Sequence, residues 1–242
     1  MVNKTSTEIV YPSWESYEAL LRHGPDDGKK AESFWDSRAR QFNKHQIEGK
    51  SRLHEHTVTS LVHRELITPG SSILEIGAGS GRYTLPLAKV SGHVTATDIS
   101  AQMLAHLKEN AAAAGLSNID TRKLDWNTIE LGTLGFEKQF DLVFAAMCPA
   151  VRSKNGLEKM SRASCQSCVV AQFIESRAPA GQKGTSPEAV SGRHDPHNDR
   201  DALYAMFNLL WLQGYTPEIR YKKETEANGA STTLALISWE VQ

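Results

Sequence analysis

Hydrophobic residues in the first 68 positions recur at helical intervals. Residues three or four positions apart lie on one side of an α-helix, so each such series predicts one helix. The turn signal Thr68-Pro69-Gly70 ends the third series. We therefore predict three helices that form an N-terminal helical cap over residues 1–68. The members of the three series are Tyr17, Leu20 and Leu21, then Phe34, Trp35, Arg38 and Phe42, then Val58, Leu61, Val62 and Leu66.

From residue 72 onward, short apolar runs alternate with turns and helical stretches. This alternation is typical of βαβ units with right-handed crossovers, and continuous apolar runs indicate strands that are buried on both faces. We predict a doubly wound α/β fold with a mostly parallel seven-stranded sheet, helices on both faces and a closing hairpin. This Rossmann-like domain covers residues 69–242 and forms one structural unit with the cap. The predicted strands are residues 73–76, 94–97, 119–124, 140–146, 168–173, 218–221 and 232–239.

Composition narrows the class of protein. The 242 residues are 40% hydrophobic and 23% charged, which is ordinary for a globular enzyme. No apolar run approaches the roughly 20 residues of a membrane-spanning helix, and the first dozen residues lack an apolar signal segment, so we expect a soluble, cytoplasmic protein without a membrane partner. A net charge of −1 gives no overall attraction to phosphate backbones, so no nucleic-acid partner is expected. The cysteines are an odd set of three, which indicates reduced thiols.

A glycine-rich loop, EIGAGSG at residues 75–81, follows the first predicted strand. Glycines at this place let the backbone turn sharply and approach a ligand closely. Asp98 ends the second predicted strand 21 positions after Gly77 (98 − 77), the approximate separation from which a carboxylate binds ribose hydroxyls. A dinucleotide fingerprint would have its third glycine at position 82, where this chain has Arg82. Together with Glu75 before the loop, this departure indicates that the ligand is an adenosine joined to methionine and not NAD.

These motifs resemble those of the class I S-adenosylmethionine-dependent methyltransferases. The resemblance rests on GAGSG at 77–81, DIS at 98–100, LDW at 124–126 and FDLVFA at 140–145, and it covers about residues 30–240. It implies that the glycine loop faces the methionine part, that Asp98 holds both ribose hydroxyls and that Asp125 accepts a hydrogen bond from the adenine amino group. The cofactor-binding residues that it implies are Glu75, Gly77, Ala78, Gly79, Gly81, Asp98, Ile99, Met103, Asp125, Trp126, Ala145 and Met147.

Two of these acids have structural alternatives. Asp125 is alternatively only a turn residue, and Asp98 is alternatively a cap for the helix that begins near Ser100. We expect Asp98 to be held for the ribose, with little effect on the stability of the free protein.

The reaction needs reactants held in line, and a base only where the acceptor must lose a proton. The candidates for that base are His194, His197 and Glu175. The first two lie within residues 176–201, a long loop rich in Gly, Pro, Ser and Asp that we expect to border the substrate.

We expect no metal. The stretch after the fourth strand lacks the metal-binding aspartate of catechol-type O-methyltransferases, and it also lacks the Asn-Pro-Pro-Tyr-like motif of base-amino methyltransferases. Cys165 and Cys168 have redox-like spacing without a second pair, so we interpret them as thiols that flank a strand.

Trp35, Arg38 and Phe42 form a stripe on the second predicted helix. One interpretation is that this stripe packs the cap onto the domain, and the other is that it covers the cofactor or substrate. The most favoured overall function is methyl transfer to a small-molecule acceptor. The alternatives are a protein or RNA methyltransferase, an NAD-linked oxidoreductase and a noncatalytic S-adenosylmethionine-binding protein.

Overall fold

A computed structural model describes residues 12–21, 28–49, 51–178 and 199–241. These residues form seven strands and eight α-helices, with a single 3-10 turn at Pro149–Val151. The strands are β1 Ser72–Ile76, β2 His93–Asp98, β3 Ile119–Lys123, β4 Phe140–Ala146, β5 Ser164–Arg177, β6 Glu218–Thr225 and β7 Ser231–Glu240. The helices are α1 Trp14–Leu21, α2 Gly28–Glu48, α3 Leu53–His63, α4 Thr84–Ala88, α5 Ala101–Ala113, α6 Leu131–Leu134, α7 Lys154–Ala163 and α8 Arg200–Leu212.

The strands form one sheet in the order β3-β2-β1-β4-β5-β7-β6. The first five strands of that order are parallel, and β7 pairs antiparallel with both β5 and β6. This arrangement confirms the predicted doubly wound sheet and its closing hairpin. Strand order reverses between β1 and β4, which opens a crevice at the carboxyl ends of the strands.

Alternate residues of the central strands face two separate cores. In β1, Leu74 packs with α1, α6, α7 and α8, whereas Ile73 packs with α3, α4 and α5. Both side chains have no exposed surface. The sheet therefore lies between two helical layers, and its crevice opens at the carboxyl ends of the strands.

The N-terminal helices differ in how they join these layers. Leu21 of α1 is buried in one core and Leu61 of α3 in the other, so both helices belong to the packed body. Helix α2 instead packs across α5. Of its 21 residues, all of which the structure describes, only Ala39 is buried. The part of the predicted cap that lies over the domain is therefore α2.

Candidate functional site

Asp98 lies at the carboxyl end of β2 and binds the glycine loop. Its Oδ2 accepts the N–H of Gly79 at 2.9 Å, and its Oδ1 accepts the N–H of Ser100 at 2.8 Å. Burial raises the pKa of Asp98, with a further contribution from the Asp36 carboxylate, while hydrogen bonds from the backbone of Ser100, Gly79 and Ile99 oppose the shift. The carboxylate thus joins the loop to the start of α5, a structural contact that stands beside its predicted role toward the ribose. Each oxygen can still accept a second hydrogen bond.

The glycine loop leaves open space beside Gly79. This residue has a φ of +57°, and a Cβ built on it would meet no atom within 4 Å. Gly77 has a φ of +72° as well, but a Cβ there would lie only 2.6 Å from Cys148 Sγ. The backbone N–H groups of Gly77 and Ala78 are both donated to the carbonyl of Thr97. Gly79 therefore offers the place for a ligand, whereas Gly77 is required by packing.

A cleft of about 760 Å³ lies next to Asp98, between the first turn of α2 and the ends of β2 and β3. Two of the residues predicted to meet the adenine, Ile99 and Asp125, line it together with Leu124, and Gly28, Glu32 and Lys123 also line it. A Cβ on Gly28 would lie 2.5 Å from Asp125 Oδ2, so a larger residue at the start of α2 would have to displace this carboxylate. Lys123 pairs with Glu32 across the opening.

Asp125 and Trp126 point in different directions. Asp125 Oδ1 accepts the N–H of Asn127 at 3.0 Å, so the acid does form the turn that was its structural alternative while it also lines the cleft. Trp126 is 3% exposed, and its indole donates to the carbonyl of Gly156 on α7 at 3.3 Å. The Trp126 side chain thus lies in the core and not beside the predicted adenine.

Several other predicted cofactor residues are buried below the site. Glu75 is 2% exposed and accepts a hydrogen bond from Thr84 Oγ1 at 2.6 Å. Burial raises the pKa of Glu75 to about 8. Met103 is 3% exposed in the first turn of α5, and a Cβ on Gly81 would lie 3.2 Å from Leu107 Cγ. These three residues support the loop and α5 from within.

The segment after β4 closes the other end of the site. Ala145 is fully buried, and Met147 is half-buried with a φ of +48°, a strained conformation for a non-glycine residue. Burial raises the pKa of the Cys148 thiol to about 12, so this cysteine is protonated at neutral pH. Arg152 fixes the end of the segment, since it donates to Gln172 Oε1 at 2.6 Å and pairs with the buried Asp199 at 2.7 Å.

Helix α2 faces the domain with polar side chains. Asp36 accepts hydrogen bonds from Ser100 Oγ and from the backbone of Gln102, at the start of α5. Asn43 accepts from Asn110 at 2.8 Å. Further along, Ser80 Oγ in the glycine loop donates to Gln46 at 2.7 Å. These contacts were not predicted from the sequence, although the residues follow one another at helical spacing around Ala39.

The predicted stripe lies beside this polar face. Trp35 is half-buried and Phe42 is 47% exposed, with their ring centroids 5.7 Å apart. Arg38 is exposed and lies 3.7 Å above the ring of Phe34. Packing of the cap onto the domain does not explain Arg38 and Phe42, because both side chains face solvent.

Of the three candidate bases, only Glu175 lies within the described residues. Glu175 pairs with Arg177 at 2.7 Å and with Arg200 at 3.5 Å, and the hydrogen bond from Arg177 lowers its pKa. A carboxylate held in this way is a weaker base. His194 and His197, with most of the loop predicted at 176–201, lie outside the described residues.

The described part of the chain contains neither a candidate metal site nor a candidate membrane span. No group of three or more His, Cys, Asp or Glu there is placed to hold a metal ion. Cys165 is exposed and Cys168 is buried, both as free thiols. Within the same residues, no helix combines the length and the apolar character needed to cross a membrane.

Comparison with known proteins agrees with this geometry. Residues 73–166 match a family described as "Methyltransferase domain". The chain is 34% identical over 88 residues to an uncharacterized protein of Mycobacterium tuberculosis, and 36% identical over 95 residues to a ribosomal protein L11 methyltransferase of Lactobacillus johnsonii. These matches cover 36% and 37% of this chain but only 30% and 28% of the length of the relatives.

The fold extends further than the sequence similarity. The crystal structure of a magnesium protoporphyrin IX methyltransferase from Synechocystis, with bound S-adenosylhomocysteine, aligns with a TM-score of 0.60 at 16% identity. The alignment covers 90% of this chain and 100% of the other. At this identity the likeness concerns the fold.

Proposed function

We propose that this chain, whose residues 73–166 match a methyltransferase domain and whose fold is similar to that of a solved methyltransferase, transfers a methyl group from S-adenosylmethionine to a small-molecule acceptor. One observation carries the proposal. The open side of Gly79, the carboxylate of Asp98 and the cleft at Asp125 follow one another along the carboxyl edge of the sheet. They match, in order, the methionine, ribose and adenine parts of a single ligand.

Each part of the site has a physical task. The loop at Gly79 approaches the ligand with backbone alone, and Asp98 supplies acceptors for two vicinal hydroxyls. Ile99 and Leu124 offer apolar surface to the adenine, and Asp125 accepts from its amino group. When bound, S-adenosylmethionine supplies a methyl group on a positively charged sulfur, which is already an activated leaving group.

Little further chemistry is required of the protein. The acceptor lone pair forms the new bond to the methyl carbon while the carbon–sulfur bond breaks, so the protein mainly aligns the reactants and excludes water. The buried Ala145, the half-buried Met147 and the overlying α2 suit that task. Where the acceptor carries a proton, His194 and His197 remain the candidate bases, because Glu175 is ion-paired.

A small acceptor is supported by charge and by α2. The net charge of −1 offers no general attraction to nucleic acid. Trp35 and Phe42 place aromatic surface on α2, and Phe42 lies one turn from Gln46, which contacts the glycine loop. We assign this surface to the acceptor or to the sulfonium.

A protein or RNA acceptor is the second candidate. It is favoured by the 36% identity over 95 residues to a protein whose name is ribosomal protein L11 methyltransferase. Against it, that match covers only 28% of the relative, so it concerns the shared domain.

Two measurements test the proposal. Calorimetry should show binding of S-adenosylmethionine and S-adenosylhomocysteine in the micromolar range and none of NADH, and the reverse preference would assign the chain to the oxidoreductases. Transfer of a labelled methyl group should then be followed into small-molecule, protein and RNA fractions of an extract. Label in the RNA or protein fraction would favour the second candidate, and binding without any transfer would indicate a noncatalytic binding protein.

A further inference from the structure

A buried lysine lies behind the loop that carries Asp125. Lys159 on α7 is 6% exposed, and its ammonium donates to the carbonyls of Trp126 at 3.0 Å and of Asn127 at 2.9 Å. These carbonyls belong to the two residues that directly follow Asp125. Burial of an ammonium is costly unless hydrogen bonds compensate for it, so a lysine at this place requires a reason.

The same loop is held at two further points. Asp125 Oδ1 accepts the N–H of Asn127, which fixes the carboxylate relative to the turn. The indole of Trp126 donates to Gly156, three residues before Lys159 on the same side of α7. Helix α7 therefore fixes the backbone of the turn, and through it the direction in which Asp125 enters the cleft.

We propose that Lys159 is a positioning residue for adenine recognition: by binding the two carbonyls it holds the 125–128 turn so that Asp125 meets the adenine amino group. The inference rests on the proposed function. Lys159 acts through Asp125 and does not line the cleft itself. A residue that only stabilised the fold would affect every ligand of the site equally, whereas a positioning residue affects the part of the ligand that Asp125 reads.

The test compares two probes that differ at one group. S-Adenosylhomocysteine carries the amino group, and S-inosylhomocysteine has a carbonyl oxygen in its place, which a carboxylate cannot bind. We expect the wild type to prefer the first by about tenfold or more, the usual effect of a charged hydrogen bond. In Lys159→Met, which keeps the apolar stem but removes the donors, this preference should fall to about threefold or less.

The matched control is Lys154→Met, on the same helix, with a side chain that is 41% exposed and pairs with Glu158. It should keep the full preference. The double variant Lys159→Met/Asp125→Ala should discriminate no less than Asp125→Ala alone, because the lysine acts through that acid. If Lys159→Met does not fold, Lys159→Gln, which retains a donor group, replaces it and should show an intermediate preference.

The outcomes distinguish failure of the positioning role of Lys159 from failure of the proposed function. An unchanged preference in folded Lys159 variants, even with weaker binding of both probes, would overturn the positioning role and leave the proposed function intact. Equal binding of both probes by the wild type would overturn the roles of Asp125 and Lys159 together. No binding of either probe by the wild type would overturn the proposed function itself.

Discussion

Replacement of Asp98 by alanine should reduce both the stability of the free protein and its affinity for the cofactor. The change leaves the N–H groups of Gly79 and Ser100 without their acceptor. An unsatisfied buried donor costs about 1–3 kcal/mol, and because Asp98 is half-buried and water can enter, we expect a total near 1 kcal/mol. In a protein of this size that corresponds to a decrease in Tm of roughly 2–4 °C.

The effect on binding should be larger. Two ribose hydroxyls lose a charged acceptor, at about 1–3 kcal/mol for each hydrogen bond, so the Kd for S-adenosylhomocysteine should rise at least tenfold. Asp98→Asn keeps one carbonyl acceptor but turns its amide donors toward an N–H, so its Kd should lie between those of wild type and alanine.

Melting curves with and without S-adenosylhomocysteine, together with calorimetry, measure both effects. Asp120→Ala is the matched control, since that aspartate lies on β3 with a side chain that is 66% exposed. If Asp98→Ala lowers the Tm of the free protein and leaves the Kd unchanged, Asp98 is only a structural cap and its role toward the ribose is refuted.

Three further predictions follow from the same geometry. Burial raises the pKa of Glu75 from 4.5 to about 8, so the folded state holds a proton that the unfolded state releases. Stability should therefore fall as the pH rises from about 4.5 to about 8, by a few kcal/mol, and level off above; melts of Glu75→Gln should lack this slope, and a parallel slope in both proteins would contradict the assignment. Gly79→Val should abolish cofactor binding in a folded protein, whereas Gly115→Val, with a similar φ of +68° and similar open space, should bind normally in calorimetry. Phe42→Ser should change the free energy of unfolding by less than about 0.5 kcal/mol but lower the rate of methyl transfer, and an unchanged rate would remove Phe42 from the site.

The fold was predictable because its signal is repeated along the chain. The central strands β1, β2 and β4 are short apolar runs with the continuity that a buried sheet requires, and all seven strands occur within a few residues of the predicted bounds. The glycine loop and Asp98 were predictable for a related reason. The sharp turn after β1 requires glycine, and the acid that binds ribose lies at the end of the next strand, so both residue types occur at a fixed spacing.

The direction in which single side chains point was harder to predict from the sequence. A motif gives the position of Trp126 but not its orientation. Trp126 lies in the turn after β3, and its side chain enters the core, where its indole meets the carbonyl of Gly156 on α7. Lys159 was not predictable, because a lone lysine in a helix carries no mark of the two distant carbonyls that it binds.

The face that α2 turns to the domain was also missed. An apolar stripe normally marks the buried side of a helix, but here Phe42 is exposed while Asp36 and Gln46 face the domain. Only the pairing with Ser100 and Ser80 shows this, and these partners are about 34 to 64 residues away along the chain.

The manner in which α2 is attached sets the energy needed to exchange ligands. Since Ala39 is its one buried residue in a helix that the structure describes throughout, detachment would expose very little new apolar area, and water would replace the hydrogen bonds of Asp36, Asn43 and Gln46. Opening of this kind carries a small heat-capacity change and a free energy far below that of global unfolding. Backbone amides of α2 should accordingly exchange with deuterium well before those of β1 and β4, and under the proposed function product would leave without any strain on the sheet.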